Sequence, residues 1–371
     1  MSSTYGKKLK ITIFGESHGK AIGMVAEGFP AGEEINMDEL QAFMARRSAV
    51  GKKYATPRKE ADIPVFLSGM LQLPFAETES DGGESHGRQS GQLLRTLNSP
   101  ISVMIENNSQ RSGDYNNLKD VPRPAHADFA AMMRYGQNVD LRGGGHFSGR
   151  LTAPLCVAGG MAKQILRRRG IEVTAQMIAV GGACGVCGVD PVTGIHSVDQ
   201  AGLDAMYEAM AAAQVEGDSV GGIIECVVSG LDAGACGDHM FDGMEGRISS
   251  ACFGVPAVKG IEFGNGFGCA TLRGSVNNDP FYVDPTDGKV KTRTNNHGGI
   301  LGGIASGMPI VFRVAMKPTP SIFKEQDSVS MSGGCDAKLE VKGRHDPCIV
   351  ERAVPCIEAA ASVAVLDALL E

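Results

Sequence analysis

The sequence lacks any apolar stretch long enough to cross a membrane. Its longest uncharged run, residues 173–189, is interrupted by four glycines and falls short of the roughly 20 residues that a spanning helix needs. It also lacks an excess of positive charge, because 35 Lys and Arg stand against 42 Asp and Glu, a formal net charge of −7. This balance argues against a protein that binds the phosphate backbone of a nucleic acid. We therefore expect neither a membrane nor a nucleic acid as a partner.

The spacing of a disulfide framework is missing as well. The ten cysteines all lie between Cys156 and Cys356 at irregular intervals, and the chain begins without the apolar segment of a secretion signal. We expect reduced thiols and a cytoplasmic location. Cys184 and Cys187 have the spacing of half a zinc site or of a redox pair. Because no second pair of suitable spacing accompanies them, we expect no metal, and the role of this segment stays open.

Glycine, in contrast, is abundant. The chain has 50 glycines among 371 residues, close to twice the usual fraction of roughly 7%. Tight turns and close approach of the backbone to a ligand both use glycine. The remaining composition, 43% hydrophobic and 21% charged, is that of a globular protein. No Pro- or Ser-rich linker divides the chain, so we expect a single domain over residues 1–371, with a surface insertion at residues 75–95.

Hydrophobic periodicity predicts helices and strands in an irregular order. The strands come in hairpin-like runs separated by few helices, which favours an α+β fold with antiparallel sheets over a repeating βαβ array. Pro355 sits where a proline opens a helix. The predicted helices cover residues 39–47, 154–169, 199–213 and 355–370, and the predicted strands cover residues 8–14, 22–29, 63–71, 101–106, 171–180, 222–229, 255–263 and 309–316.

Two short segments, residues 15–19 and 83–87, match the Gly-x-Ser-x-Gly pattern of a hydrolase nucleophile elbow. That elbow requires a strand before the serine and a helix after it. The first copy precedes a predicted strand, and the second lies in a polar loop. A solvated loop is the simpler interpretation of the second copy. A serine hydrolase that uses Ser17 remains a minor alternative.

Histidines concentrate in segments rich in glycine, arginine and aspartate. Five of the eight do so, namely His18, His126, His146, His297 and His345. Taken one at a time, each of these residues is explained by a purely structural role. Together they describe glycine-shaped loops that carry cations and titratable groups, as a buried anionic ligand and proton transfers require.

In these segments the chain resembles the chorismate synthase family. The matching segments follow the family's order over nearly the whole chain. The resemblance implies a β-α-β sandwich of antiparallel sheets around helices, and a homotetramer. It also implies the 1,4-elimination of phosphate from 5-enolpyruvylshikimate 3-phosphate, the final step of the shikimate pathway, with reduced FMN and no net redox change. The segments are residues 14–19, 46–47, 107–115, 123–128, 142–145, 257–260, 296–303, 317–321 and 343–348.

The resemblance also implies a role for individual residues. His18, supported by Ser17, would lie near the departing phosphate, where an imidazolium can stabilise or protonate it. His126 would face the reduced flavin, and Asp346 would assist transfer of the substrate's ring proton. The substrate carries two carboxylates and a phosphate, so cations must surround it. The substrate-binding residues would be Arg47, Lys53, Arg123, Arg150 and Arg344. The cofactor-binding residues would be His146, Ser148, Ala257, Gly302, Lys317, Thr319, Ser321 and Arg344.

The sequence departs from the family pattern at several of these positions. His146 and Phe147 stand where the family usually has Arg-Ser, and Lys53 and Ala125 replace an arginine and a glycine. Histidine is not equivalent to arginine at a flavin. We expect His146→Ala to weaken FMN binding more than it slows turnover at saturating FMN. A non-catalytic flavin- or phosphosugar-binding paralogue is the alternative function. Whether NADPH or a separate flavin reductase supplies the electrons stays open.

Overall fold

The computed structural model describes residues 3–55, 62–73, 92–108, 120–341 and 345–371. Within these residues, none of the helices combines the length and the apolar character needed to span a bilayer. The helices are α1 Met37–Arg47, α2 Asp128–Tyr135, α3 Thr152–Arg168, α4 Gln200–Val215, α5 Met244–Phe253, α6 Gly274–Asn277 and α7 Val350–Leu369. The strands are β1 Thr4–Tyr5, β2 Lys10–Gly15, β3 Ala21–Glu27, β4 Glu34–Asn36, β5 Val65–Ser68, β6 Met70–Gln72, β7 Leu93–Thr96, β8 Ile101–Glu106, β9 Glu172–Val180, β10 Ala183–Cys184, β11 Val186–Val189, β12 His196–Val198, β13 Gly222–Ser229, β14 Val258–Phe263, β15 Phe281–Val283, β16 Val290–Thr292, β17 Ile300–Leu301, β18 Ile304–Ala305, β19 Ile310–Met316, β20 Gln326–Ser330 and β21 Cys335–Leu339.

Two five-stranded antiparallel sheets enclose a layer of helices. The first has the strand order β1-β2-β3-β8-β5 and the second β10-β9-β13-β19-β14. Helix α3 packs on β2, β3 and β8 of the first sheet, while α7 packs on β9 and β13 of the second. The two helices also pack on each other. This is a β-α-β sandwich of the α+β class, and the fold expected from the sequence is confirmed.

The inner helices approach each other unusually closely. A Cβ atom added at Gly159 of α3 would lie 2.2 Å from the Cα of Ala359 on α7, so only glycine fits there. Most of α7 is buried, including the run Ala359, Ala360 and Ala361. Small side chains on both helices therefore set their separation and place α7 in the centre of the sandwich.

Helix α1 shows how local sequence positions a functional side chain. The side chain of Asn36 accepts hydrogen bonds from the backbone N–H groups of Asp38 and Glu39, both at 3.0 Å, and so caps the helix. Acidic residues in the first turn and Arg46 and Arg47 in the last complement the helix dipole. The helix begins two residues before the predicted start and ends at Arg47, as predicted.

Several predicted boundaries are wrong. Helix α7 begins at Val350 and not at Pro355, which lies inside it. Val350, Ala353 and Val354 are buried, so their packing favours a helix start before the proline. Residues 63–71 form two strands, separated at Gly69, where φ is +80°. Helices α2 and α5 were not predicted. Residues 93–95, at the end of the predicted insertion 75–95, belong to β7, which pairs with β4 and β6. Residues 74–91, including the second Gly-x-Ser-x-Gly copy, lie outside the described residues.

A buried carboxylate on α7 joins four elements. Both oxygens of Glu358 accept hydrogen bonds from Arg46 of α1 at 2.8 Å. Lys163 of α3 donates at 2.9 Å, and the backbone N–H of Ala175 in β9 donates at 2.9 Å. Burial alone would raise the pKa of Glu358, but the hydrogen bonds and charges of Arg46 and Lys163 hold this pKa below its ordinary value. Glu358 thus connects both inner helices to the second sheet.

A second buried carboxylate on α7 holds the segment before β2. Asp367 accepts hydrogen bonds from the backbone N–H groups of Lys7, Lys8 and Leu9 at 3.0, 2.7 and 2.7 Å. Arg247 of α5 lies 3.5 Å from the same carboxylate. This region of the first sheet is therefore fixed to α7 by charge-assisted hydrogen bonds.

Candidate active site

One deep pocket opens at the end of the helix layer. Its volume is about 600 Å³, within the range that binds small molecules. Its wall combines the end of α1, residues 123–127, the triple-glycine turn (residues 143–145), residues 253–259, residues 316–321 and the first two turns of α7. Residues far apart in the sequence thus share one surface.

The pocket collects most of the residues that the sequence predicted. Those that line it are Arg47, Arg123, His126, His146, Ser148, Arg150, Ala257, Lys317, Thr319, Ser321 and Asp346. Four predicted residues do not line it, and two of them, Ser17 and His18, lie behind the triple-glycine turn. Lys53 is exposed, with its ammonium 5.2 Å from the ring centroid of Tyr54, and Gly302 lies in the turn between β17 and β18. Arg344 lies outside the described residues.

His18 and Ser17 lie behind the triple-glycine turn. They are 4% and 5% exposed, and neither lines the pocket. A Cβ atom added at Gly143 would lie 2.2 Å from Cε1 and Nδ1 of His18 and 3.0 Å from the Ser17 hydroxyl. The backbone N–H of Ser17 donates to the carbonyl of Gly145 at 3.1 Å. Gly143 itself lines the pocket, so the backbone of this one residue lies between the His18 ring and the cavity.

A three-residue ion network positions His126. Asp128 accepts hydrogen bonds from Nε and Nη2 of Arg123 at 2.7 and 2.9 Å, and Nδ1 of His126 lies 2.5 Å from its Oδ1. Burial alone would raise the pKa of Asp128, but the hydrogen bonds from His126 and Arg123 hold it well below its usual range. The carboxylate therefore faces an Nδ1–H group, and the Nε2 atom of His126 is left for the cavity.

Two buried arginines share one carboxylate. Arg47, Asp62 and Arg150 are 4%, 4% and 7% exposed, and Asp62 accepts a hydrogen bond from each guanidinium. Nε of Arg47 also donates to the hydroxyl of Thr152 at 2.8 Å, and Nε of Arg150 donates to the side-chain oxygen of Asn107 at 3.0 Å. One negative charge faces two positive charges, so this wall of the pocket carries a net positive charge.

Asp346 is held in place by α7. Its Oδ2 accepts a hydrogen bond from Nη1 of Arg352 at 2.7 Å. Nε of Arg352 donates to the backbone carbonyl of Arg47 at 3.0 Å. Both residues line the pocket. Arg352 therefore links the only carboxylate predicted as catalytic to the end of α1.

The opposite wall carries two lysines and a buried hydroxyl. Burial and the nearby charge of Lys259 lower the pKa of Lys317, whose ammonium donates to the carbonyl of Ala125. The Thr319 hydroxyl is buried and has no hydrogen-bond partner among the described residues. Such a group needs a partner. This wall therefore fits an anionic group with oxygen acceptors.

His146 makes two hydrogen bonds within the protein. Its Nδ1 lies 2.7 Å from the carbonyl oxygen of Gly15 and its Nε2 lies 2.7 Å from the hydroxyl of Ser3. Because a carbonyl only accepts, Nδ1 carries a proton. The ring thus links the triple-glycine turn to the end of β2. It lines the pocket, but both ring nitrogens are hydrogen-bonded within the protein and neither is available to a ligand.

The replacement of the family glycine by Ala125 has a cost in stability. Ala125 has φ of +58°, a left-handed conformation that costs a residue with a Cβ atom roughly 1–2 kcal/mol. We expect Ala125→Gly to raise the free energy of unfolding by roughly 0.5–1 kcal/mol, after allowance for the extra freedom of glycine in the unfolded chain. Urea denaturation measures this change.

Ala127 provides the matched control, because its φ is −71°. There glycine offers no relief, so Ala127→Gly should lower the free energy of unfolding by roughly 0.5–1 kcal/mol. Changes of the same sign in both variants would contradict strain at Ala125.

Four residues that line the pocket or support its lining were not predicted from the sequence. Asp128 was visible in the histidine segment at residues 123–128, and its spacing of two residues from His126 was an unused signal. Arg352 lies on a helix that was predicted to start after it. Lys259 stands in the matching segment at residues 257–260 but was not singled out. Asp62 offers no local signal, because only the folded chain brings it to the pocket. Among the described residues, no cluster of three or more His, Cys, Asp or Glu is arranged to hold a metal ion.

This chain is similar to known proteins over nearly its whole length. The family model for chorismate synthase matches residues 9–370. Chorismate synthase from Thermococcus kodakarensis is 43% identical over 370 residues, which cover 98% of this chain and 97% of the relative. That from Dehalococcoides mccartyi strain BAV1 is 40% identical over 377 residues, covering 100% and 97%. A crystal structure of chorismate synthase, 24% identical, superposes with a TM-score of 0.68 over 98% of this chain and 92% of that one; this likeness confirms the fold.

Proposed function

The chain belongs to the chorismate synthase family and is a carbon–oxygen lyase, and on this premise we propose that its pocket converts 5-enolpyruvylshikimate 3-phosphate to chorismate and phosphate. The observation that carries the proposal is a locally basic pocket in an acidic protein. The substrate has two carboxylates and a phosphate, and such an anion binds where cations converge. The cations that line the pocket are Arg47, Arg123, Arg150, Lys259, Lys317 and Arg352.

Reduced FMN is the proposed cofactor, and the pocket fits it. The buried Thr319 hydroxyl without a partner among the described residues, together with Lys317 and Ser321 of the same loop, offers donors that suit a phosphate. These residues and Ser148 would hold the cofactor. When bound, reduced FMN supplies electron density to the substrate ring during loss of the phosphate and regains it afterwards.

The residues of the chain supply charge and proton transfer. A protonated His126 presents Nε2–H to the cavity, because Asp128 occupies Nδ1, and so stabilises negative charge there. Asp346, fixed by Arg352, assists removal of the ring proton. His18 acts on the departing phosphate from behind Gly143, supported by the Ser17 hydroxyl. The arginines orient the substrate carboxylates, for which a guanidinium fork is suited.

An anaerobic assay of the purified protein tests this function. Chorismate and free phosphate are followed together, with 5-enolpyruvylshikimate 3-phosphate and chemically reduced FMN. We expect equimolar products with reduced FMN and none with oxidised FMN. Binding of FMN and substrate without either product would favour the non-catalytic paralogue. Product formation from oxidised FMN with added NADPH would show that the protein reduces its own flavin. If product forms with chemically reduced FMN but not with oxidised FMN and NADPH, a separate reductase is required.

Lys259 should contribute to cofactor or substrate affinity. It lines the pocket and is close enough to lower the pKa of Lys317. Because Lys259 is exposed to solvent, we expect Lys259→Gln to weaken FMN binding only about three- to fivefold, as for other exposed ion pairs. Fluorescence titration with FMN measures the change. Lys10→Gln is the control, since Lys10 is exposed on β2 outside the pocket lining; an equal effect in both variants would point to net charge alone.

We further propose a cytoplasmic homotetramer. Apolar side chains on and near the β15–β16 hairpin face solvent, with Phe267 87%, Phe281 66% and Val283 66% exposed. Exposed apolar groups of this kind are typical of an interface. Light scattering would give the mass of the assembly, and a Phe281→Glu variant should reduce it. A monomer at micromolar concentration would refute this part of the proposal.

A further inference from the structure

Two buried thiols meet in the pocket wall, and the proposed reaction uses neither. Cys156 on α3 and Cys356 on α7 have their sulfur atoms 3.8 Å apart. Cys356 lines the cavity, whereas Cys156 is fully buried behind it. Cys356 is therefore the thiol on the pocket side, and Cys156 lies behind it.

The surroundings make the two thiols unequal. The thiol of Cys156 donates a hydrogen bond to the sulfur of Cys356, and this bond, aided by the guanidinium of Arg47 and opposed by burial, lowers the pKa of Cys356. Burial raises the pKa of Cys156. Since the thiolate is the reactive form, the sulfur on the pocket side is the better nucleophile.

The helix backbones fix the distance between the two side chains. One turn further along both helices, Gly159 and Ala359 are in such close contact that no Cβ atom fits at Gly159. A disulfide needs an S–S distance of about 2.05 Å, so the sulfurs must approach by roughly 1.8 Å. A disulfide here requires rotation of the two side chains, because the contact at Gly159 holds the helices in place.

We propose that Cys356 and Cys156 form an oxidant-sensitive dithiol site in the pocket wall, with a peroxide as the oxidant. The Cys356 thiolate attacks one peroxide oxygen, the O–O bond breaks, and hydroxide leaves, which gives a sulfenic acid. Cys156 then loses its proton and attacks this sulfur, and the S–O bond breaks with loss of a second hydroxide. In sum, two thiols and hydrogen peroxide give one disulfide and two waters, and the thiols supply both electrons.

Peptide mapping of the whole protein after treatment with hydrogen peroxide tests this site. Free thiols are alkylated before digestion, and the exposed Cys184 and Cys187 serve as internal references. We expect the peptides of Cys156 and Cys356 to be recovered as one linked pair that dithiothreitol separates. In Cys156→Ser, Cys356 should proceed to sulfinic acid, which dithiothreitol does not reverse. A variant with serine at both Cys184 and Cys187 should keep the linked pair.

The result that overturns the site is recovery of Cys356 as a free thiol under conditions that oxidise Cys184.

A second experiment, which rests on the proposed function, adds FMN. FMN at about ten times its dissociation constant should slow formation of the linked pair about tenfold, because it covers the wall that contains Cys356. If FMN binds in a separate fluorescence titration without slowing the reaction, peroxide does not reach Cys356 through the pocket and the proposal is wrong. If FMN does not bind, the proposed cofactor is wrong, and a linked pair still supports the dithiol site.

Discussion

Gly143→Ala is expected to lower the rate of chorismate formation by about a hundredfold or more, the cost of misplacing a catalytic group by about 1 Å. The added Cβ would lie 2.2 Å from two atoms of the His18 ring. Because that ring is buried, it cannot yield without moving the triple-glycine turn as well. The anaerobic assay with reduced FMN measures the loss.

Gly136→Ala separates this clash from backbone strain. Gly136 has the same φ of +58° as Gly143, but no atom lies within 4 Å of an added Cβ. The ψ of −129° at Gly136 is less favourable for alanine than the ψ of 19° at Gly143, so the control carries at least as much backbone strain. It should lose at least about 1–2 kcal/mol of stability and retain its activity. Equal loss of activity in both variants would show that strain, and not contact with His18, is responsible.

Glu358→Ala should lower the free energy of unfolding by about 2–3 kcal/mol, because it removes a buried carboxylate and leaves the hydrogen-bond donors around it without their shared acceptor. Arg46 and Lys163 would lose their shared partner, and the backbone N–H of Ala175 would lose its acceptor. Urea denaturation, followed by circular dichroism, measures the change in midpoint. The variant should still unfold in one transition, because α3 and α7 pack on each other and on the two sheets without this carboxylate.

Glu34→Ala is the matched control for an acidic residue paired with arginine. Glu34 and Arg95 are 3.1 Å apart, with 48% and 44% of their side chains exposed. Exposed pairs of this kind contribute less than about 1 kcal/mol. A loss at Glu358 as small as that at Glu34 would mean that water replaces the carboxylate in the variant, and the role assigned to Glu358 would be wrong.

The class of the fold could be predicted from the sequence, because most strands show either alternating polar and apolar residues or a continuous apolar run. Strand β13 begins and ends at the predicted residues, since its run from Gly222 to Ser229 is apolar apart from Glu225 and the final serine and is bounded by Gly221 and Gly230. Helix α7 was predicted late because Pro355 imitates a start signal, while burial of Val350 and Val354 depends on tertiary contacts. The layered arrangement itself came from the family resemblance; hairpin-like spacing does not specify which sheet each strand joins.

The site was predictable where glycine, histidine and arginine occur in one short segment. Arg123 and His126 could be found in this way, and both line the pocket. Asp62 could not be found, because it stands in no distinctive segment and reaches the pocket through long-range packing. Lys259 was overlooked within the matching segment at residues 257–260. The position of His18 behind Gly143 was also beyond the sequence, since it depends on three consecutive left-handed glycines.

The central place of α7 has a consequence for synthesis on the ribosome. Every strand of both large sheets is translated before this helix, yet β9 and β13 bury their inner faces against it, and Asp367 holds the segment before β2. Until α7 emerges, the nascent chain exposes apolar surface that has no partner. Contacts between such distant parts of a sequence form slowly, and unpaired apolar surface favours aggregation in the meantime. Recovery of folded protein in a cell should therefore depend on chaperones that shield the inner face of the second sheet until α7 has been translated.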